Sequence, residues 1–446
     1  MLQPDQTILQ SLELIRSGQT SADELTSACL AVIEAKNPTL NVFACMPSPE
    51  QRTGYHQGLQ PQGELSGIPI VIKDLIDIAG LPTTAGSPNF FGQQPALKDA
   101  LVVDKLKYAG ATLLGKTNTH EIALGITGTN PHTGPVRNPH NPERISGGSS
   151  SGSAVAVASG MALGALGTDT GGSVRIPAAL CGVVGFKPTF GRVSTRGVLP
   201  LSWNLDHVGP IAKTVADAAL LYSVLAGYDP QDPNAVLVPP APFQRQKDIS
   251  DFRVALVVGD YISEADPEIL AALSRAAGIF ASLGAEIVEV EIPRLEEAAR
   301  ANGTMVIADA AAFHRERLDE HPDWFGADVR ERLEKGRAVT STEYILARRV
   351  QSEMKRYFGL FFDPFDVLLL PTTASVAAPI EGLDSAAYAS RLTRFTAPFN
   401  LTGLPALTVP CGASPDGLPI GVQLVGPAWS EQIVLQAGQA LETATQ

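Results

Sequence analysis

ISGGSSSGSAVAVASGMALGALGTDTGGSVRIPAALCGVVGFKPTFGRVST, residues Ile145 to Thr195, is the stretch on which the reading of this chain turns. Two Gly/Ser clusters, Gly147 to Ser153 and Gly171 to Ser173, bracket an Ala/Val-rich run with almost no charge. Glycine admits backbone angles that a Cβ forbids and lets the main chain approach a ligand, so such clusters suit loops whose own N–H groups do chemistry. Gly/Ser clusters also build flexible linkers, but linkers sit in polar sequence. Here the flanks are AVAVAS and IPAALCGVVGF, both apolar. They predict loops buried in the body of the fold, where ordering small flexible residues costs entropy and needs a reason. Serines in such loops are candidate nucleophiles.

Two pattern matches are set aside. Gly148 to Gly152 fits the G-x-S-x-G nucleophile elbow, which requires a hydrophobic strand before the serine, whereas PVRNPHNPER precedes it. GATLLGKT, Gly110 to Thr117, fits the phosphate-loop pattern, but its middle residues Ala, Thr, Leu and Leu read as a strand core.

Several stretches recur together: GIPIVIKDLIDIAGLPTTAGS, GATLLGKTNTHEIALG, the two serine clusters, LDHVGPIAKTVADAA, DVLLLPTT, FNLTGLPALTVPCG and PIGVQLVG. In this order, from about Gly67 to about Gly426, they resemble the amidase signature family of serine hydrolases. The resemblance implies an α/β fold of the amidase-signature type, with a central mixed sheet covered by helices on both faces. It also implies a Ser-cisSer-Lys triad: Ser173 as nucleophile, Ser149 as the bridging serine in a cis peptide, and Lys73 as general base. The N–H groups of Thr170, Gly171, Gly172 and Ser173 would form the oxyanion hole. Ser150 would hydrogen-bond within its loop, and Asp169 and Arg175 would brace the turn.

The chemistry is coherent. A serine hydroxyl attacks poorly until a base takes its proton, and that base also protonates the leaving amine. An ammonium cannot be that base, but Lys73 follows the apolar run IPIVI, and burial favours a neutral amine. A lone lysine at a strand end would otherwise be read as a snorkelling side chain. One departure stands in the signature: Ser151 occupies a position where the family usually has glycine, a penalty if that residue needs a positive φ.

Composition narrows the classes. The chain has 446 residues, 44% of them hydrophobic, a net charge of −13 and no basic block, which argues against nucleic acid or an anionic membrane as partner. MLQPDQTILQ lacks the features of a secretion leader, and no apolar run approaches the ~20 residues of a membrane span. Cys29, Cys45, Cys181 and Cys411 are scattered and read as reduced, buried residues of a cytoplasmic protein. His120, His132, His140 and His207 fit no metal motif, so neither metal nor cofactor is expected.

In chain order, helices are expected over Gln6 to Ser17 and from the Ser21/Glu24 capping box to about Asn37-Pro38, forming an N-terminal arm (1–60). A signature core (61–228) alternates strand Ile68 to Ile72, helix Ala100 to Tyr108, strand Ala111 to Lys116, helix Ser151 to Ser159 and the strand before Asp169. A proline-rich crossing (229–248) precedes the C-terminal part (249–446). That part should contain strands Val254 to Val258 and Glu286 to Glu291, helix Pro267 to Leu283, a mostly helical run Leu295 to Leu360, strands Asp366 to Leu370 and Gly421 to Val425, and a closing helix Ser430 to Thr445. The family resemblance makes all of this one domain and makes Leu295 to Leu360 the roof of the substrate cleft.

Three functions are weighed. The first is an amidase cleaving a small aliphatic or aryl amide, with esters and carbamates (urethanase activity) within the same chemistry, working as monomer or homodimer without protein partners. The second is the glutaminase component, or A subunit, of the glutamine-dependent tRNA amidotransferase, whose core is similar. That component places an acid before its T-x-P-x-N-L-x-G-L-P segment, where LTRFTAPFNLTGLP has Thr393. The third is a non-catalytic nucleotide-binding protein using GATLLGKT, which the presence of Lys73, Ser149 and Ser173 opposes.

Overall fold

The computed structural model describes residues 6–56, 63–89, 94–241, 243 and 248–445. Parts of the proposed arm, core and proline-rich crossing, namely 1–5, 57–62, 90–93, 242 and 244–247, lie outside the described residues.

Among the described residues one sheet of eleven strands runs through the chain. The strands are β1 (Phe43–Cys45), β2 (Pro69–Lys73), β3 (Thr112–Thr117), β4 (Gly164–Asp169), β5 (Val184–Lys187) and β6 (His207–Ala212). They continue with β7 (Arg253–Val257), β8 (Glu286–Val290), β9 (Val367–Pro371), β10 (Ala406–Ala413) and β11 (Pro419–Val425). Their spatial order is β1-β3-β2-β4-β6-β5-β10-β11-β9-β7-β8. β2 runs parallel to β3 and β4, and β7 parallel to β8 and β9, while β6, β5, β10 and β11 pair antiparallel, so the sheet is mixed as expected.

Alternation along the strands shows why helices cover both faces. On β2, Ile70 and Ile72 join an apolar cluster with Val103 and Leu221, from helices Leu101–Tyr108 and Val215–Leu225. Val71, pointing the other way, joins Val155 and Ala178, from helices Ser151–Ala158 and Arg175–Cys181. A strand buried on both faces reads as an unbroken apolar run, and IPIVI is one. The N-terminal helix Ile8–Arg16 docks through backbone N–H groups of Ile8 and Leu9, which both donate to the Asp217 carboxylate at 3.0 Å.

Two differences from the sequence expectation have local causes. The second helix, Ala22–Leu40, runs through Pro38 instead of stopping there. Pro38 lies in the last turn, and the Asn37 side chain accepts from Val42 N–H at 2.7 Å and Phe43 N–H at 3.2 Å, closing the end beyond the proline. β5, β6 and β10 lack a strand signature in the sequence because VGFK, HVGPIA and ALTVPCGA carry glycine or proline inside the strand.

Candidate active site

The parallel pairing of β2 with β4 sets their carboxyl ends side by side, the edge at which α/β sheets collect ligands. Lys73 closes β2 and Asp169 closes β4. Helix Ser151–Ala158 begins directly over β4, and Ser150 just before it locks the two together: its Oγ donates to Thr168 O at 3.1 Å and accepts from Thr168 N–H at 3.2 Å. That approach requires Gly167, because a Cβ there would stand 2.6 Å from Ser150 Oγ.

Lys73 is fully buried. Its Nζ lies 2.7 Å from Ser149 Oγ and 2.8 Å from Thr168 Oγ1. Burial pushes the amine down to about 7, against the opposing pull of the Asp169 and Asp206 carboxylates. A neutral amine has two N–H groups and a lone pair, so it can donate to Thr168 while accepting the Ser149 proton. The Gly148–Ser149 peptide is cis. The Ser149 carbonyl accepts from Thr119 Oγ1 at 2.8 Å and from His120 N–H at 3.3 Å.

Ser173 is tied to this loop through its carbonyl, which accepts from Ser150 N–H at 3.2 Å. The Ser173 hydroxyl itself makes no hydrogen bond among the described residues, so Lys73 and Ser149 meet directly while the third hydroxyl stands apart from them. Catalytic contacts are often loose before substrate arrives.

The turn before Ser173 is held by a buried ion pair. Asp169 accepts from Gly172 N–H at 2.8 Å, Val174 N–H at 3.1 Å and Arg175 Nε at 3.0 Å, with Arg175 Nη2 at 2.9 Å from its other oxygen. Burial works to raise the Asp169 carboxyl, but the Arg175 guanidinium, Lys187 and Asn400 outweigh it and hold the group well below the usual carboxylate range. Of the four N–H groups expected to form an oxyanion hole, that of Gly172 donates to Asp169 at 2.8 Å. The N–H groups of Thr170, Gly171 and Ser173 carry no hydrogen bond among the described residues. Ser151 starts its helix without a positive φ, so serine is tolerated where the family has glycine.

Sequence reasoning missed five residues around the turn. Asp206 accepts from Thr170 Oγ1 at 2.6 Å, Asn302 Nδ2 donates to Thr170 O at 3.1 Å, and Thr396 Oγ1 donates to Gly171 O at 2.7 Å. Asn400 Nδ2 reaches Asp169 at 2.8 Å, and Gln423 accepts from Arg175. Asp206, Asn400 and Gln423 lie in stretches that carry the family resemblance, Thr396 lies just before one, and Asn302 sits in an unpatterned helical run. Asn302 belongs to helix Leu295–Glu320, which thereby touches the turn.

The four histidines have other occupations. His132 pairs with Glu121 at 2.9 Å, His140 with Cys181 O at 3.0 Å, His207 with Leu205 O at 2.7 Å and His120 with Asp328 at 3.4 Å. Among the described residues no group of three or more His, Cys, Asp or Glu is placed to hold a metal ion, and no helix is long and apolar enough to cross a membrane. Lys116, from the phosphate-loop match, sits in β3 and pairs with Asp74 at 2.8 Å, both side chains fully buried.

A family model described as Amidase matches residues 24–435. The chain belongs to the amidase family. It is an amide-hydrolysing enzyme of the amidase-signature fold. An amidase of Pseudomonas putida is 39% identical over 98% of this chain and 96% of its own. The A subunit of the glutamyl-tRNA(Gln) amidotransferase of Chloroflexus aurantiacus is 37% identical over 99% of this chain and 96% of its own. Among solved structures, one described as a vestigial protein complex revealing the origins of an s-triazine catabolic enzyme superposes with a TM-score of 0.92, at 34% identity over 98% of both chains.

Proposed function

We propose that this amidase hydrolyses a small aliphatic or aryl amide through an acyl-enzyme on Ser173, with Ser149 relaying protons to Lys73. The observation that carries the reading is the 2.7 Å contact of a fully buried Lys73 amine with Ser149 Oγ. In acylation the Ser173 proton passes to Ser149 as the Ser149 proton passes to Lys73. Ser173 Oγ bonds to the carbonyl carbon, and the carbonyl oxygen takes the electron pair under the free N–H groups of the turn. The C–N bond then breaks, and the proton on Lys73 returns through Ser149 to the departing amine. Water repeats the sequence and releases the acid.

The test is a fluorophosphonate, which would form a phosphorus–oxygen bond with Ser173 and release fluoride. Labelling of the parent that disappears in Ser173→Ala is expected; equal labelling of both would refute the assignment. The same mechanism sets the pH profile. Because the working form of Lys73 is the neutral amine, kcat/KM should fall as pH drops through about 7, approaching tenfold per unit below it. A profile flat from about pH 5.5 to 8 would remove Lys73 as the base.

The Chloroflexus relative favours a second reading, the glutaminase component of an amidotransferase. Thr393 weighs against it. Its hydroxyl donates to Ala389 O at 3.0 Å, and its methyl is 3.9 Å from where a Cβ on Gly171 would stand, so an uncharged group faces the turn. Incubation with glutamine should release no ammonia; glutamine turnover would reverse the ranking.

A further inference from the structure

We infer that Asp206 is a positioning residue, whose carboxylate holds the oxyanion turn in its working geometry through the hydroxyl of Thr170. The inference rests on the serine mechanism proposed above and assigns a task to a side chain that mechanism does not use.

Every other part of the turn already has an anchor. The Thr170 carbonyl takes Asn302, the Gly171 carbonyl takes Thr396 and the Gly172 N–H takes Asp169. The Thr170 side chain takes Asp206 at 2.6 Å. These four points fix the backbone of the turn and leave the N–H groups of Thr170, Gly171 and Ser173 without a protein partner among the described residues, as an oxyanion hole requires. Gly172 sits at φ 133°, and a Cβ there would run into Thr396, so the turn has no bulk of its own to hold it.

Asp206 is itself set rigidly. Its second oxygen accepts from the N–H groups of Leu201 at 2.9 Å and Ser202 at 3.1 Å. Ser202 Oγ continues to Asp309, which also takes Tyr344 OH at 2.8 Å and Asn204 at 3.1 Å. Asp309 and Tyr344 stand on helices Leu295–Glu320 and Ser341–Phe361, so a continuous set of hydrogen bonds runs from the overlying helices to Thr170. Among the described residues Asp206 forms no ion pair. A buried carboxylate without a cation is expensive, and a neutral side chain would fill the same space at lower cost.

The charged and titratable groups around Asp206 decide what its charge does. They are Lys73 at the end of β2, Asp169 before the turn, His207 next to it on β6 and, one hydroxyl away, Asp309. Burial keeps the His207 imidazole well below its ordinary value, hence neutral. Burial also pushes the Asp206 carboxyl up to about 6, against its hydrogen bonds and the Lys73 charge. Above that value the anion draws on the Lys73 ammonium and raises its pKa. Removing the anion therefore lets Lys73 stay neutral to lower pH.

The experiment compares Asp206→Asn, Thr170→Val, Thr170→Ser and the Asp206→Asn/Thr170→Val double variant of the full chain on one amide that the parent turns over. Asp206→Asn and Thr170→Val should each lower kcat about 10- to 100-fold with KM within about threefold, a loss below the full removal of an oxyanion donor. The double variant should lose no more than the worse single, because both break one contact. Thr170→Ser, which keeps the hydroxyl, should lose far less than Thr170→Val. The acid limb of Asp206→Asn should move to lower pH, which a purely structural role would not produce. If Asp206→Asn does not fold, the isosteric Thr170→Val carries the test. A kcat within twofold of the parent in either single variant, losses that multiply in the double, or an unmoved acid limb would overturn the inference. Ser173→Ala separates the two levels: activity surviving in it removes the serine mechanism, whereas its inactivity beside a fully active Asp206→Asn removes only the role of Asp206.

Discussion

Lys73→Met is expected to fold at a cost of about 2–4 kcal/mol and to lose about 10³- to 10⁵-fold in kcat/KM, most of it in kcat. Methionine matches the volume of the buried stem, and such swaps usually cost below about 1.5 kcal/mol. Burial brings the amine down to about 7, so at and above that pH much of it is neutral and its removal strands little charge. Thr168 and Ser149 each lose a partner, at about 1 kcal/mol for each contact. The chemistry has no substitute for the amine. Without it the proton on Ser149 has no destination, and Ser173 must attack as an unassisted hydroxyl. Lys73→Arg should be equally inactive, because a guanidinium does not give up its proton in a protein. Steady-state kinetics with thermal melts of both variants check this. Turnover within tenfold of the parent in a folded Lys73→Met would show that another group takes the proton.

The buried serine loops are legible from their apolar flanks, but the roles of Lys73, Ser149 and Ser173 come from the family resemblance; the fold brings the first two into contact. Asp169 and Arg175 flank the glycine turn with opposite charges, and the resemblance supplies their role as a brace; in the fold they form a buried ion pair. What sequence cannot supply is direction. The resemblance offers four N–H groups to the oxyanion, but that the one on Gly172 is taken by Asp169, a single 2.8 Å contact, is visible only in the fold. Nor can it supply partners from distant segments: Asp206, Asn302 and Thr396 converge on Thr170 and Gly171 from three separate elements, and no local pattern announces that convergence. β5, β6 and β10 escape for a related reason. Their glycines and prolines weaken strand propensity, and β5 and β10 need theirs: a Cβ on Gly185 would meet Ala178 at 2.7 Å, and Pro410 lies just before the register shift of β10 against β11.

Arg175→Met should be the most destabilising single change near the site, lowering the unfolding free energy by about 3–5 kcal/mol. Arg175 is fully buried, with Nε and Nη2 on Asp169, Nη2 also 2.6 Å from Asn400 Oδ1, and Nη1 3.1 Å from Thr396 O. Its removal does not merely delete these bonds. It leaves the Asp169 anion in a site where burial opposes the charge, and it releases the Asn400 and Thr396 carbonyls that it held. The alternative explanation, lost packing around the aliphatic stem, makes a different prediction. If stranded charge is the cause, adding Asp169→Asn to Arg175→Met should restore part of the stability, because the double variant buries no lone anion while keeping an acceptor for the Gly172 N–H. If packing is the cause, the second change only adds damage. Urea melts of the two single variants and the double decide between them. Activity separates from stability in the same set: the double variant recovers its fold but places Gly172 through a neutral amide, so kcat should remain well below that of the parent even where the chain is fully folded.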